Sequence, residues 1–411
     1  MSRRPNRAAS PALIVTILAL LLTPSARAAT VTVGQLFMPT GSNTCGGTDL
    51  QATVASGTPY VVSAPGVITS WSFQTDATTP AGLKLKVAHS AGGSSYTIVA
   101  ETPAGAQVPN AVNTYPAGIP VQTGDLIGIY GGSGDCAEFT TNPADGALSA
   151  DGDVAPGTTS AFVSAPEAKI DVSAQEVLAP GIGSVSPSAG PAAGGTSVTI
   201  TGHDFSGATA VSFGAAPAQR FTVTSDDSIT AVAPAAVAGT IDVTVTTAGG
   251  RSPTSIGDHF TSVPRPAVTS VSPTRGQRAG GAVVTITGHD FTGATAVNFG
   301  GHPARGFGIV SDTLITAVAP AARAGAVDIT VTTTGGQSTT APADRFTFVQ
   351  VCVVPNLRHK TLAAAKKALG RAHCRAGTIS GPKSGKVTRQ SRKPGKVLLA
   401  GAKVNFTLGR P

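Results

Sequence analysis

Thr199-Ile200-Thr201-Gly202-His203-Asp204-Phe205 recurs 86 positions later as Thr285-Ile286-Thr287-Gly288-His289-Asp290-Phe291. Working outward from this heptapeptide, residues 185–260 align with 271–346 without a gap, and 48 of the 76 positions are identical. A duplication of that fidelity gives both segments one fold. Its period is too long for a solenoid and suits an independent β-sandwich of about seven strands. Val198 and Ile200 alternate with Thr199 and Thr201, Val211 and Phe213 flank Ser212, and Ile241, Val243 and Val245 alternate with Asp242, Thr244 and Thr246. This period-two pattern of β-branched residues predicts one buried apolar face with the threonines in water. Gly194-Gly195, Gly202, Gly207, Gly214 and Gly249-Gly250 punctuate the runs where turns are expected.

The run Pro187-x-x-Gly190-Pro191-x-x-Gly194-Gly195-Thr196, the Gly202-to-Phe205 turn and Gly207-Ala208-Thr209-Ala210-Val211-x-Phe213-Gly214 resemble the IPT/TIG family of immunoglobulin-like domains. The second copy departs at Gln277 and Ala282, which stand where the first has Pro191 and Thr196. The resemblance implies two immunoglobulin-like β-sandwiches, 182–262 and 268–348, of a kind used as spacers and interaction surfaces on outer-cell proteins. His203-Asp204 and His289-Asp290 invite a metal or catalytic reading. One His-Asp pair supplies too few ligands for a metal site, so a strand-connecting turn is expected.

Charged residues make up 12% of the 411-residue chain, and 41% are hydrophobic. That is too apolar for disorder, and Glu, Lys and Leu are too scarce for a coiled coil. Arg3, Arg4 and Arg7 precede the apolar run Ala12–Leu22, and Ala26-Arg27-Ala28 is a small-x-small site. Residues 1–28 therefore read as a cleaved signal peptide, since a run this short rises only ~17 Å as a helix. A secreted or extracellular, envelope-associated protein without a transmembrane anchor is expected. Four cysteines remain, and four allow three pairings. Module boundaries favour Cys45–Cys136 and Cys352–Cys374; a metal reading lacks CxxC spacing.

Charge is distributed unevenly. Residues 28–180 carry three basic and twelve acidic side chains, whereas 350–411 carry fourteen Lys and Arg and no acid. Within this basic stretch Cys352-Val353-Val354-Pro355 reads as a strand. Thr361 caps a helix with Leu362, Ala365, Leu369 and Ala372 on one face, and Val387, Val397–Leu399 and Val404–Leu408 give further strands. Val354-Pro355-Asn356-Leu357, Val387-x-x-Gln390-Ser391-x-x-Pro394-Gly395 and Gly401-x-x-Val404 are similar to a PASTA domain, with His359 and Arg392 as departures. The resemblance implies a small α+β domain with affinity for peptidoglycan fragments, although some members serve only as stalks. The candidate contact residues are Lys366, Lys367, Arg371, Lys383, Lys386, Arg389, Arg392 and Lys393. Such a field suits peptidoglycan or another anionic wall polymer. Single-stranded nucleic acid requires stacking aromatics, and Phe406, the one aromatic here, sits at core spacing.

Residues 29–178 predict a further β-sandwich, jelly-roll-like, with Trp71 and Phe73 in its core. Tyr60, Tyr96 and Tyr115 either stack on a carbohydrate or belong to core and rim. Asp145-Gly146 and Asp151-Gly152-Asp153 either gather oxygens for calcium or form plain turns. No G-x-S-x-G elbow, HExxH, Walker loop or dinucleotide fingerprint occurs, and no cofactor or metal is expected. A glycosidase pair among Glu101, Glu138, Glu167 and Glu176 is the enzymatic alternative. The expectation is a mainly β, non-catalytic, modular surface protein: 29–178 presents a face for carbohydrate or a surface protein, the repeats act as spacer, and 350–411 holds the envelope.

Overall fold

The computed structural model describes residues 29–39, 46–133 and 135–409. The expected signal segment 1–28 and Cys45 lie outside the described residues. The fold is mainly β, and no helix among the described residues is long and apolar enough to cross a membrane.

Residues 29–178 form two large antiparallel sheets with a shared core and a two-stranded pair, Ala137–Phe139 with Ala168–Ile170. One runs in the order Thr30–Gln35, Val172–Leu178, Gly66–Gln74, Val112–Val121; the other is seven-stranded, with Lys84–Gly92, Leu126–Tyr130 and Gly47–Thr53 at its centre. Ile68, Trp71 and Phe73 from the first sheet meet Leu85, Val87, Ile127 and Ile129 from the second, all without exposed surface. Trp71 and Phe73 are thus core, as the alternation with Ser70 and Ser72 implies.

Each repeat is a two-sheet sandwich, and the second reproduces the first strand for strand. In the first, Gly181–Ser186, Ser197–His203, Ser228–Val232 and Arg220–Ser225 form one sheet. Gly239–Thr247 is the middle strand of the other, between His259–Val263 and Ala210–Phe213. Val198, Ile200, Phe205, Val243 and Val245 have no exposed surface. Phe213 and Phe260 meet edge to face at 5.3 Å, as do Phe299 and Phe346 in the second copy. Thr199 and Thr201 face water, but Thr244 and its copy Thr330 are buried, contrary to expectation. Their strand is flanked on both sides, and the Thr330 hydroxyl accepts a 2.8 Å hydrogen bond from the Gln337 amide.

The heptapeptide does form a turn. Asp204 and Asp290 take the left-handed conformation (φ 58° and 61°), which Asp tolerates better than most residues. Each binds its neighbouring imidazole, with 2.7 Å from His203 Nδ1 to Asp204 and 2.6 Å from His289 Nδ1 to Asp290. Gly202 is required for space: a Cβ there would overlap the Gly181 carbonyl and the Phe205 ring.

In the basic module Thr361 caps the helix Leu362–Arg371, its hydroxyl accepting from the Ala364 N–H. Arg375–Ser380, Lys403–Leu408 and Val387–Gln390 form a three-stranded sheet, and Val351–Val353 pairs with Val397–Leu399. The strand Arg375–Ser380 has no counterpart in the sequence reading, because Gly377 and a register irregularity between Ala376 and Ile379 erase its alternation. The Cys352–Cys374 disulfide joins the first strand to the segment after the helix, as expected. Cys136 is also disulfide-bonded; its expected partner lies outside the described residues.

Two buried carboxyls in the first sandwich are held in their protonated range. Glu176 has no hydrogen-bond partner for either oxygen, and burial, aided by the Asp125 charge, raises its pKa to about 7. Burial also raises Asp171 to about 7, against the 3.0 and 2.8 Å hydrogen bonds it accepts from the Phe37 and Gln74 N–H groups. The fold holds protons that the unfolded chain has already released, so this sandwich loses stability as pH rises from the ordinary carboxylate range to about 7. Glu176→Gln should therefore stabilise it by about 2 kcal/mol at pH 8 and by little at pH 4. Calorimetry at both pH values checks this; an equal shift at each would remove charge as the cause. Gly202→Ala should cost the first repeat about 3 kcal/mol, read as a lowered denaturant midpoint; an unchanged midpoint would contradict the close approach.

Candidate functional site

The open face of the basic sheet is built by strand alternation. On Lys403–Leu408, Val404, Phe406 and Leu408 point into the core with Ala365 and Leu369 of the helix. Lys403, Asn405 and Thr407 therefore face outward. Register places Arg375 beside Lys403, and Ser380 and Arg389 on either side of Thr407. A shallow cleft of about 360 Å³ results, lined by Thr378, Ser380, Arg389, Gln390, Ser391, Asn405 and Thr407.

Hydrogen bonds organise its floor. Asn405 Oδ1 accepts from the Thr378 N–H at 2.9 Å, and Ser391 Oγ accepts from the Asn405 N–H at 2.9 Å. Ser380 donates to the Thr407 hydroxyl at 3.1 Å. Gln390 is committed to the scaffold: its oxygen accepts from the Leu357 N–H, and its nitrogen donates to the Pro355 and Arg392 carbonyls. The Arg389 guanidinium and the Asn405 amide nitrogen have no protein partner among the described residues. The module contains no acid to neutralise its cations. Arg375 and Lys403 are like charges on adjacent strands, an arrangement an anion would relieve. Phe406 is buried, so this face carries no stacking ring.

The eight cations predicted from sequence are all exposed but do not share a face. Lys366, Lys367 and Arg371 lie on the helix, across the core from the open face. Lys383 and Lys386 lie between Ser380 and Val387, and Arg392 and Lys393 follow the strand Val387–Gln390. Only Arg389 of the eight lines the cleft. Arg375, Lys403 and Asn405 were missed because the strand that pairs Arg375 with Lys403 was not legible.

The first sandwich withdraws several of its candidates. Tyr60 is buried, with its hydroxyl 2.5 Å from the Ile170 carbonyl. Tyr115 is buried against Trp71 at 4.9 Å, and Tyr96 is half-buried, edge-on to Phe162. The sugar-stacking alternative is thereby corrected for Tyr60 and Tyr115, whose rings are core, while Tyr96 sits at the rim. Two of the three aspartates of the calcium alternative are engaged by other partners, while Asp151 is exposed. Asp145 accepts from the Ala55 N–H at 2.7 Å and the Thr140 hydroxyl at 2.8 Å, while Asp153 binds both Lys84 and Lys86.

Lys86 is fully buried, which alternation alone does not foretell. Its ammonium contacts Glu101, Asp153 at 2.5 Å and the Val154 carbonyl at 2.9 Å, while Lys84 binds the same two carboxylates. Burial pushes Glu101 and Asp153 upward, but the lysine hydrogen bonds outweigh it and hold both below the usual carboxylate range. Glu138 pairs with Lys169 at 3.3 Å. A second cleft of about 350 Å³ contains His89, whose Nδ1 lies 2.7 Å from buried Asp125. Thr97 lines the same cleft, but its hydroxyl is engaged with Thr159 at 2.7 Å.

Two immunoglobulin-like sandwiches and a small basic α+β unit follow the first sandwich along the chain. Family models agree: the chain carries two IPT/TIG domains, at 180–262 and 266–348, followed by a PASTA domain at 353–410. That architecture, with its disulfide, fits a cell-surface protein. No curated protein matches the chain. Among solved structures it is similar to the plexin A4 extracellular region (14% identity, 73% of this chain and 34% of that one, TM-score 0.28). It is also similar to an SGBP-B from a xyloglucan utilization locus of Bacteroides uniformis (22%, 43% and 51%, 0.20) and to the titin I9–I11 tandem (10%, 70% and 97%, 0.24). The chain spans about a third of the plexin ectodomain.

Arg389→Ala should lower the affinity of the cleft for an anionic ligand about tenfold, the loss of one charge-assisted hydrogen bond. Lys366→Ala, across the core, should change it less than about threefold. Titration calorimetry separates the two faces, and equal losses would disperse the site over the whole module.

Proposed function

We propose that the protein is a secreted, non-catalytic envelope-binding protein whose PASTA module contacts peptidoglycan or an anionic wall polymer, with the IPT/TIG pair as spacer. One observation carries this reading: an open sheet face combining Arg389, Arg375 and Lys403 with the hydroxyls and amide of a polar cleft, in a module without a single acid. Guanidinium and ammonium groups suit the carboxylates and phosphates of wall material, and the Ser, Thr and Asn groups suit sugar hydroxyls. The PASTA resemblance supports the same ligand class. The first sandwich supplies no exposed aromatic platform from Tyr60 or Tyr115, so wall contact is assigned to the basic module.

Sedimentation with purified sacculi tests this directly. The whole chain should pellet at low salt, and a chain ending at Val349 should remain in the supernatant. Raising salt toward 1 M, where the Debye length falls to about 3 Å, should release most of the bound protein. Equal pelleting of the two chains would remove the assignment to the basic module.

A further inference from the structure

The duplication contains a natural comparison at the edge of each sandwich. In the first repeat Asp242 and His259 are directly paired across two antiparallel strands, with His259 Nε2 3.4 Å from Asp242 Oδ1. Asp258, the last residue of the one-turn helix Ile256–Asp258, lies behind them with no exposed surface. One Asp258 oxygen accepts from the Ser255 N–H at 2.6 Å and closes the turn. The other is buried and has no hydrogen-bond donor. One ligand atom from each of these three side chains lies within 4.8 Å of the other two.

The second repeat keeps both carboxylates and changes the third member. Asp328 and Asp344 stand at the positions of Asp242 and Asp258, but Arg345 replaces His259. The Arg345 guanidinium lies 3.8 Å from Asp328, and Asp344 again closes its turn with one oxygen and leaves the other without a donor. Two neighbouring carboxylates, one of them out of water, disfavour each other's charge, and a shared proton or positive charge beside them relieves this. The second repeat carries that charge in its own guanidinium. The first offers an imidazole nitrogen at that position instead, a group that can ligate a metal ion.

We propose that Asp242, Asp258 and His259 bind one divalent transition cation of the zinc class. An imidazole with two carboxylates suits Zn²⁺ and its neighbours, whereas Ca²⁺ and Mg²⁺ take oxygen donors. Bonds of about 2.0–2.1 Å require donor atoms roughly 3.3 Å apart. Asp242 and His259 close the remaining distance, because their side chains are 45% and 47% exposed and free to rotate toward the fixed Asp258. Three protein ligands leave a fourth position for water. The ion ties the last strand, its one-turn helix and the middle strand together.

Isothermal titration of the whole chain with Zn²⁺ alone tests the assignment through stoichiometry. One saturable site is expected, together with a raised melting temperature for the first repeat. His259→Arg imports a side chain that the second repeat already accommodates, and it should weaken this site at least about 100-fold. The reciprocal Arg345→His should add a second site. Thermal melts without metal establish that both variants are folded. Absence of saturable binding by the unsubstituted chain, or unchanged stoichiometry in both variants, overturns the proposal.

Discussion

The basic module is held together against its own charge. Fourteen Lys and Arg side chains, with no acid among them, occupy residues 350–411. The opposing core is small: Cys352, Val354, Leu357, Ala365, Leu369, Val387, Val404, Phe406 and Leu408 are its main buried side chains. Self-repulsion of this kind destabilises a compact state, and a core so thin benefits from a covalent tie. The Cys352–Cys374 bridge supplies it, closing a 22-residue interval around the helix. Uncompensated charge and cross-link belong together: internal acids would relieve the repulsion but would also quench the module's positive field.

What the sequence discloses and what it conceals divides along local and non-local structure. Val198 and Ile200, Trp71 and Phe73, and the Leu362–Ala372 stripe show their burial because period two and period 3.6 are local properties. Lys86 looks like an outward lysine until strand pairing sets it opposite Glu101 and the chain brings Asp153 beside it. Thr244 is buried because its strand has neighbours on both sides. Tyr60 and Tyr115 sit beside prolines in loop-like sequence, yet their rings are core, and no local pattern distinguishes the two outcomes. At the candidate wall site the charge was legible and the cleft was not, since Arg389, Thr407 and Ser380 converge only through a three-strand register.

The two repeats separate scaffold from variation. Their heptapeptide turns, edge-to-face phenylalanines and Asp-closed one-turn helices coincide. Differences reach the core, as at Val243 and Ile329 or Ser262 and Phe348, and also the strand edge at His259 and Arg345. There a duplicated frame presents the same carboxylate pair with two different counter-groups.

The fate of lysine along the chain has a practical side. Lys84, Lys86 and Lys169 are the only lysines before residue 350, and each donates to a carboxylate within its own sandwich. The remaining eight belong to the basic module, where no carboxylate is available to shield them. An amine-directed acylating reagent at mild pH thus modifies the chain's α-amine and the lysines of the basic module ahead of Lys84, Lys86 and Lys169. It strips ammonium charge from the basic module before it reaches the carboxylate-bound lysines of the first sandwich, so a single reagent distinguishes the two without altering a codon.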